Sequence, residues 1–313
     1  MAVADDIDRP TMGEAPGGGS RRRRLHFARI PLHVAVIGLA LLWSIPTIAL
    51  VVSSFRTPEE IAGSGWWNAI KTPFDWTLAN YDAVLSQRGL ARAFLNSIII
   101  TAPASTITIL VAAFAAYAFA WMRFPGRNLL LLVLVGLLVV PLQMTLIPVL
   151  RLYVALSVDV EVPLLGGKLF GTSSYPGIWL AHGAYGLPFA VYLLRNFFGG
   201  LPRDLIEAAL LDGATDMQVF FRIVLPLSMP ALAALAIFDF LWTWNDLLVA
   251  LVFLGDPNLA PMTLRIANLV SSFGASYQVL TAAAFVSMAV PLVVFFALQR
   301  YFVQGILAGS VKG

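Results

Sequence analysis

The sequence of 313 residues contains no cysteine and few charged side chains. Without cysteine, a disulfide framework, a thiolate nucleophile and a cysteine-ligated metal site are all excluded. The histidines, His26, His33 and His182, are too scattered to predict a metal cluster. Charged residues make up 12% of the chain and hydrophobic residues 59%, whereas soluble domains average about 25% and 45–50%. The composition therefore indicates a protein whose main solvent is the lipid bilayer.

A nucleotide-binding loop is also missing. Gly166-Gly167-Lys168 lacks both the earlier glycine and the following hydroxyl residue of the P-loop pattern. No nucleophile and base stand together in a way that suggests catalysis. We therefore expect a chain that is not an enzyme and carries no cofactor or metal of its own. The net charge of +3 is too small to indicate a nucleic-acid partner.

The first 29 residues differ in composition from the rest. Residues 1–20 are rich in Gly, Pro and Asp, which predicts a disordered tail over 1–29. Arg21 to Arg24 and Arg29 precede an apolar run, as in a secretory signal. The uncharged run Ile30–Phe55 is too long for the apolar part of a signal peptide, and no clear cleavage site follows it. An uncleaved first membrane helix is the better interpretation.

Six runs are long enough to cross a bilayer, which takes about 20 apolar residues. Five of them are free of charge: Ile30–Phe55, Ala93–Met122, Asn128–Leu150, Leu169–Leu194 and Ile266–Gln299. The sixth, Ser228–Leu254, is equally apolar but contains Asp239 and Asp246. Lipid offers no partner to unpaired backbone groups, so these runs should be helices. The sequence thus predicts an all-α membrane protein, with six transmembrane helices in one domain over residues 30–313.

Arginine and lysine residues predict the orientation. With the N-terminus in the cytoplasm, the inner segments hold thirteen of these residues and the outer segments hold seven. Basic residues accumulate on the cytoplasmic side of membrane proteins. Both termini are therefore expected in the cytoplasm of a multi-pass cell-membrane protein. The segment around Glu207 then lies in the cytoplasm as well, between the fourth and fifth helices.

The segment 199–227 is unusually apolar for a cytoplasmic loop. Arg203 through Leu211 favour a helix, Gly213 can end it in a left-handed conformation, and Asp216 through Val224 predict a second short helix. We call the two short helices and the turn between them the elbow. It offers apolar side chains for burial, namely Leu205, Ala208, Ala209 and Phe220. An exposed apolar surface of this kind needs a cover. The apolar pattern alone leaves open whether the cover is a partner protein or the chain's own helix bundle.

The spacing of residues in this elbow follows a family pattern. Glu207-Ala208-Ala209 is followed after three residues by Gly213, after nine more by Ile223, and then by Leu225-Pro226. The segment resembles the coupling loop of ABC-importer permeases. That resemblance implies that a separate ATPase, which uses ATP and magnesium, docks on the loop. It also implies a set of coupling residues: Glu207, Ala208, Ala209, Asp212, Gly213, Ala214, Phe220, Ile223, Leu225 and Pro226.

Two further segments resemble carbohydrate-uptake permeases of the maltose type, specifically the shorter six-helix partner. They are Phe240-Leu241-Trp242-Thr243-Trp244-Asn245-Asp246 and Gln299 through Gly313, in which Ser310 replaces an expected alanine. Residues 177–196 look most like the alpha-glucoside or glucosylglycerol branch. The resemblance covers about residues 30–313. It implies a di- or oligosaccharide or a glucoside as substrate. It also implies a second permease subunit, two ATPase subunits and an extracytoplasmic sugar-binding protein as partners.

Aromatic and polar residues of the fifth helix suggest a sugar pathway. Indole rings cover the C–H faces of a pyranose, while amides and carboxylates bond its hydroxyls, which fits Trp242, Trp244, Asn245 and Asp246. Charged groups at the bilayer centre are costly, so Asp239 and Asp246 should face protein or water. The tryptophans could instead form an interfacial belt or contact a partner subunit.

Two other functions remain open at the level of sequence. Asp239 and Asp246 could carry protons in a secondary transporter that needs no ATPase. Alternatively, the chain could be a scaffold without a pathway of its own, although the coupling-loop pattern argues against that interpretation. The sequence does not identify the sugar, nor which of the two permease subunits contacts it.

Overall fold

The computed structural model describes residues 30–69, 71, 76–87, 89–162, 167–272 and 277–310. The predicted tail, residues 1–29, lies outside this part of the chain. The described chain divides into two compact units at Leu50 and Val51, and each is considered by itself.

The structure is almost entirely helical. In chain order the helices are α1 (Ile30–Ser54), α2 (Pro58–Gly63), α3 (Ala79–Asp82), α4 (Leu90–Trp121), α5 (Arg127–Leu137), α6 (Leu142–Ala155), α7 (Tyr175–Gly199), α8 (Arg203–Leu211), α9 (Asp216–Leu227), α10 (Met229–Asn245), α11 (Leu248–Phe253), α12 (Met262–Ser272) and α13 (Tyr277–Ser310). An antiparallel hairpin of β1 (Val158–Val162) and β2 (Gly167–Phe170) joins α6 to α7, with Val158 opposite Phe170.

Four of these helices, α1, α4, α7 and the α13 segment Tyr277–Arg300, are long and apolar enough to cross a membrane alone. Two bent pairs qualify as spans only when each pair is counted together. The α5–α6 pair bends by 109° and the α9–α10 pair by 75°. The described residues therefore hold four to six candidate spans, and the expected number of six stays a prediction.

The expected third span is not a straight helix. Residues Asn128–Leu150 fall on α5 and α6, which are separated after Leu137 by a turn that ends at Pro141. Proline lacks an N–H group and disfavours a helical residue before it. The proline marks the position of the bend, but the apolar composition alone does not show that the two helices meet at 109°.

The limits of three other spans also differ from expectation. Leu169 belongs to β2, and α7 begins at Tyr175, where the Ser174 hydroxyl accepts a hydrogen bond from the Gly177 N–H. The run Ser228–Leu254 divides at Asp246 into α10 and α11. Ile266 lies in α12, before the last long helix starts at Tyr277. In each case a polar or extended segment lies within or beside the apolar run.

Small residues let the central helices approach closely. The contact of α4 with α7 is the largest between any two helices described here. Ala112, Ala113 and Ala116 of α4 share one buried cluster with Ala190 and Val191 of α7. Small side chains at helix interfaces allow close backbone packing in membranes. This cluster extends from α4 and α7 to α8, α9 and the start of α10, and so supports the elbow.

Candidate functional site

The elbow turns at Gly213. Its φ is +84°, in the left-handed region predicted from the sequence. The Gly213 N–H donates to the Leu210 carbonyl and the Ala214 N–H to the Ala209 carbonyl, at 3.1 and 3.0 Å. A Cβ at position 213 would meet no atom within 4 Å. Glycine is required here by the backbone alone, since other residues enter this conformation at a cost of about 1 kcal/mol or more.

The second helix of the elbow has a defined start and an irregular middle. Thr215 caps α9 through a reciprocal pair, because its hydroxyl accepts from the Gln218 N–H and the Gln218 side chain accepts from the Thr215 N–H. A π-helical turn covers Phe220–Val224, and the last turn continues to Leu227, three residues beyond the predicted end. Pro226 lies inside that last turn, and α10 follows after the bend.

One face of the elbow is packed and the other is open. Ile206, Val219, Phe220 and Val224 are each at most 3% exposed, within the cluster that α4 and α7 build. At about 100° per residue, Asp204, Ala208 and Leu211 lie on the side of α8 opposite Ile206, and Glu207 lies next to them. These four residues, the outer face of α8, are all exposed, and Leu211 is 88% exposed.

The expected coupling residues divide between these faces. Glu207, Ala208, Asp212, Gly213 and Pro226 are exposed, whereas Ala209, Ala214, Ile223 and Leu225 are half-buried. Phe220 is fully packed, so it supports the elbow and is not available to a partner in this conformation. Ile206 and Val219, which sequence reasoning did not select, share that supporting role. The chain's own helix bundle thus covers one side of the elbow, and the other side is exposed.

A second, polar site lies between the spans. His182, Tyr185 and Gly186 of α7 line a small enclosed pocket together with Asp239, Trp242 and Thr243 of α10; Leu142 and Val249 complete its wall. Asp239 is 7% exposed, and its Oδ2 atom has no hydrogen-bond partner among the described residues. An unpaired buried carboxylate oxygen is costly. It therefore marks a place where a donor group can gain from binding.

Of the five residues expected on the sugar pathway, only Asp239 and Trp242 reach this pocket. Trp244 is 2% exposed; its ring stacks on Phe240 at 5.7 Å, and its Nε1–H donates to the Ser287 carbonyl at 3.1 Å. That contact joins α10 to α13, so in this structure Trp244 is a packing residue and does not line the pocket.

The side chains of the other two expected residues form hydrogen bonds with backbone groups of nearby residues. Asn245 is exposed and donates to the Leu241 carbonyl at 2.8 Å. Asp246 accepts the N–H groups of Val249 and Ala250 through Oδ2, at 3.0 and 3.3 Å, and thereby caps α11. The same oxygen lies 3.9 Å from His182 Nε2.

The sequence analysis did not select Tyr185, Thr243 or His182 for this site. For Thr243 a signal was present, because positions 239, 242 and 243 recur at the three- and four-residue spacing of one helix face.

Gly186 determines the shape of the polar pocket. A Cβ there would come within 2.8 Å of Asp239 Oδ1 and 3.3 Å of Thr108 Cγ2. Gly183, nearly one turn earlier on α7, offers a contrast: its Cβ would meet Thr108 Oγ1 at 3.7 Å, an ordinary contact. The missing side chain at position 186 thus leaves the space that the Asp239 carboxylate occupies.

Long apolar helices with an amphipathic elbow between two of them are typical of a multi-pass membrane protein. Residues 108–308 match the family described as the binding-protein-dependent transport system inner membrane component. This chain belongs to that family. The resemblance found in the coupling loop is thereby confirmed at the level of the family.

Curated relatives are similar along almost the whole chain. The osmoprotective compounds uptake permease protein GgtD of Synechocystis sp. is 52% identical and aligns over 94% of this chain and 95% of its own. The alpha-glucoside transport system permease protein AglG of Rhizobium meliloti is 43% identical, with 94% and 99% covered. The diacetylchitobiose uptake system permease protein NgcG of Streptomyces coelicolor is 33% identical, with 88% and 85% covered.

A solved structure shows the same fold. A chain of a bacterial ABC transporter that imports the acidic polysaccharide alginate superposes with a TM-score of 0.59 at 16% identity, over 93% of this chain and 100% of that chain. The resemblance to importer permeases is thus confirmed by the family and by these relatives, and the solved structure shows the same fold.

The Gly186 contact gives a test of the polar pocket. Gly186→Ala should displace the Asp239 carboxylate, since a Cβ and an oxygen cannot remain 2.8 Å apart. We expect substrate uptake by the assembled transporter to fall several-fold, while Gly183→Ala stays near wild type. Uptake and purified yield should be measured for both variants. Equal uptake in the two would show that the pocket has no part in transport.

Proposed function

We propose that this chain is one permease subunit of an ATP-driven sugar importer and forms half of its translocation pathway. The observation that carries the proposal is the elbow of α8 and α9, which is fixed to the bundle on one face and open on the other. The family match and the glucoside-type relatives support it. A di- or oligosaccharide or a glucoside is the proposed cargo.

Three kinds of partner complete the proposed transporter. A second permease subunit forms the other half of the pathway, and two ATPase subunits that use ATP and magnesium lie beneath the pair. An extracytoplasmic binding protein delivers the sugar. The alginate importer has been solved with its pentasaccharide-bound periplasmic protein, which supports this arrangement by fold analogy alone. One ATPase covers the outer face of α8.

The proposed topology has six spans with both termini in the cytoplasm. The α5–α6 pair then counts as one span and α10 with α11 as another, and thirteen basic residues lie inside against seven outside. This orientation places the elbow in the cytoplasm, where the ATPase is.

The proposed sugar contact in this subunit is the polar pocket. Trp242 is 48% exposed and also lines the pocket, so its indole ring can contact a sugar at the surface. Asp239 lines the same pocket but is buried. A carboxylate is an acceptor only, and it therefore favours hydroxyl donors over anionic groups. In this conformation the pocket is too enclosed for a whole sugar, so the helices must separate before a ring enters.

The unpaired oxygen of Asp239 also fits a second candidate, a proton-coupled transporter. ATP dependence separates the two functions. Sugar accumulation in vesicles that contain the permeases without the ATPase, driven by a proton gradient, would favour this alternative.

Topology can be tested directly because the chain contains no cysteine. A single Thr215→Cys variant should resist membrane-impermeant thiol reagents in intact cells and react after permeabilisation, since Thr215 is exposed at the elbow. Trp67→Cys, exposed on the proposed outer side, is the positive control. Labelling of the elbow variant in intact cells would overturn the orientation.

Coupling should depend on the turn at Gly213 and on the charge of Glu207. Gly213→Pro requires a negative φ and removes the N–H that bonds Leu210, so the elbow should lose its shape. We expect the ATPase to co-purify poorly with this variant and with Glu207→Lys, and sugar uptake to fall at least tenfold.

The matched control for the turn is Gly199→Ala at the end of α7, where a Cβ also meets nothing and φ is not positive. It should behave as wild type. Normal co-purification and uptake in Gly213→Pro would remove the support for a docking elbow.

The sugar contact is tested at Trp242. Trp242→Ala removes the aromatic face, and Trp242→Phe keeps one, so uptake should show a several-fold higher KM for alanine and a value near wild type for phenylalanine. The complex should assemble in both. An unchanged KM in Trp242→Ala would assign the sugar contact to the other permease subunit.

A further inference from the structure

A tyrosine on α4 reaches the elbow from inside the bundle. Tyr117 is 5% exposed, and its hydroxyl group donates a long hydrogen bond of 3.3 Å to Asp216 Oδ1. Asp216 is the first residue of α9, directly after the Thr215 cap. The Tyr117 ring also packs edge-on against Phe220, with 5.3 Å between ring centroids. One side chain thus contacts both the start and the middle of α9.

A second aromatic residue on the same face of α4 also contacts α9. Phe114, three residues before Tyr117, lies 4.9 Å from the ring of Phe220 and 6.1 Å from that of Phe221. Phe220 and Phe221 are consecutive and are the first two residues of the π-helical turn Phe220–Val224. Such turns recur at functional sites. This one accompanies a two-ring contact with Phe114, so the irregular turn and the aromatic contact occur together.

The two helices of the elbow are held unequally. In α8 only Ile206 is fully buried, whereas α9 buries Val219, Phe220 and Val224. A push on the outer face of α8 can therefore reach the membrane helices in two ways: directly through the single Ile206 contact, and through the Gly213 turn into the more deeply buried α9. Ring contacts resist separation but allow sliding, since dispersion is not directional. The hydrogen bond of Tyr117 is directional and fixes where α9 sits along α4.

We propose that Tyr117 is a positioning residue for energy coupling: through Asp216 and Phe220 it ties α9 to α4, so that movement of the elbow is passed to the span that α4 forms. This inference rests on the proposed docking of an ATPase at the elbow. It adds the route by which that docking reaches the membrane. The fold itself does not need the hydroxyl group, because the Tyr117 ring fills its place without it.

The test removes the hydroxyl group and keeps the ring. Tyr117→Phe should leave assembly and basal ATP hydrolysis of the complete transporter unchanged. The ATP consumed per sugar imported should rise roughly 2- to 10-fold, the range that one lost hydrogen bond produces. Asp216→Ala should give the same rise. Asp216→Asn keeps an acceptor oxygen and should lie closer to wild type than Asp216→Ala.

Two controls separate this route from a general loss of stability. Tyr192→Phe deletes a hydroxyl group from an exposed tyrosine of α7 and should change nothing. The double variant Tyr117→Phe with Asp216→Ala should be no worse than either single change, because both remove one shared contact. A normal ATP-to-sugar ratio in Tyr117→Phe, or additive effects in the double variant, would overturn the inference. If the wild-type complex imports no sugar with ATP, the proposed function fails instead.

Discussion

The burial of one face of the elbow between α4 and α7 is the contact on which the functional geometry depends. Ile206 and Phe220 enter a cluster that alanines of both helices build, and the small side chains of those helices make room for them. Because this face is satisfied within the chain, the opposite face has a fixed direction. An exposed leucine such as Leu211 is then displayed at a defined place and does not collapse onto the bundle.

The same close approach of helices shapes the polar pocket. Gly186 and Thr108 bring α7 and α4 near Asp239, whose carboxylate is enclosed with one oxygen unpaired. A buried polar group without a partner is tolerated only where something offsets its cost. In a permease that changes shape, a donor that arrives with the cargo can supply that compensation. The packing at the elbow and the unpaired carboxylate oxygen at the pocket thus belong to one set of helices.

The sequence predicted the features that depend on local rules. Gly213 was predicted as a left-handed turn, and its φ confirms this; the coupling-loop spacing predicted the family, and the comparisons confirm it. The end of α10 at Asn245 was missed, since an apolar run looks alike whether the helix continues or turns. The burial of Trp244 was also missed, because its local sequence does not show whether the side chain binds a sugar or donates to the Ser287 carbonyl. Such facts depend on tertiary neighbours.

The most direct measurement of the central claim, that an ATPase covers the outer face of α8, is cross-linking from one introduced cysteine. Leu211→Cys, made in this cysteine-free chain, places a thiol at a strongly exposed point of that face. Attached to a short photoreactive group in the assembled complex, it should cross-link to the ATPase subunit in high yield, and a cysteine at buried Ile206 should not. Cross-links from position 211 only to lipid or to this chain would contradict the account.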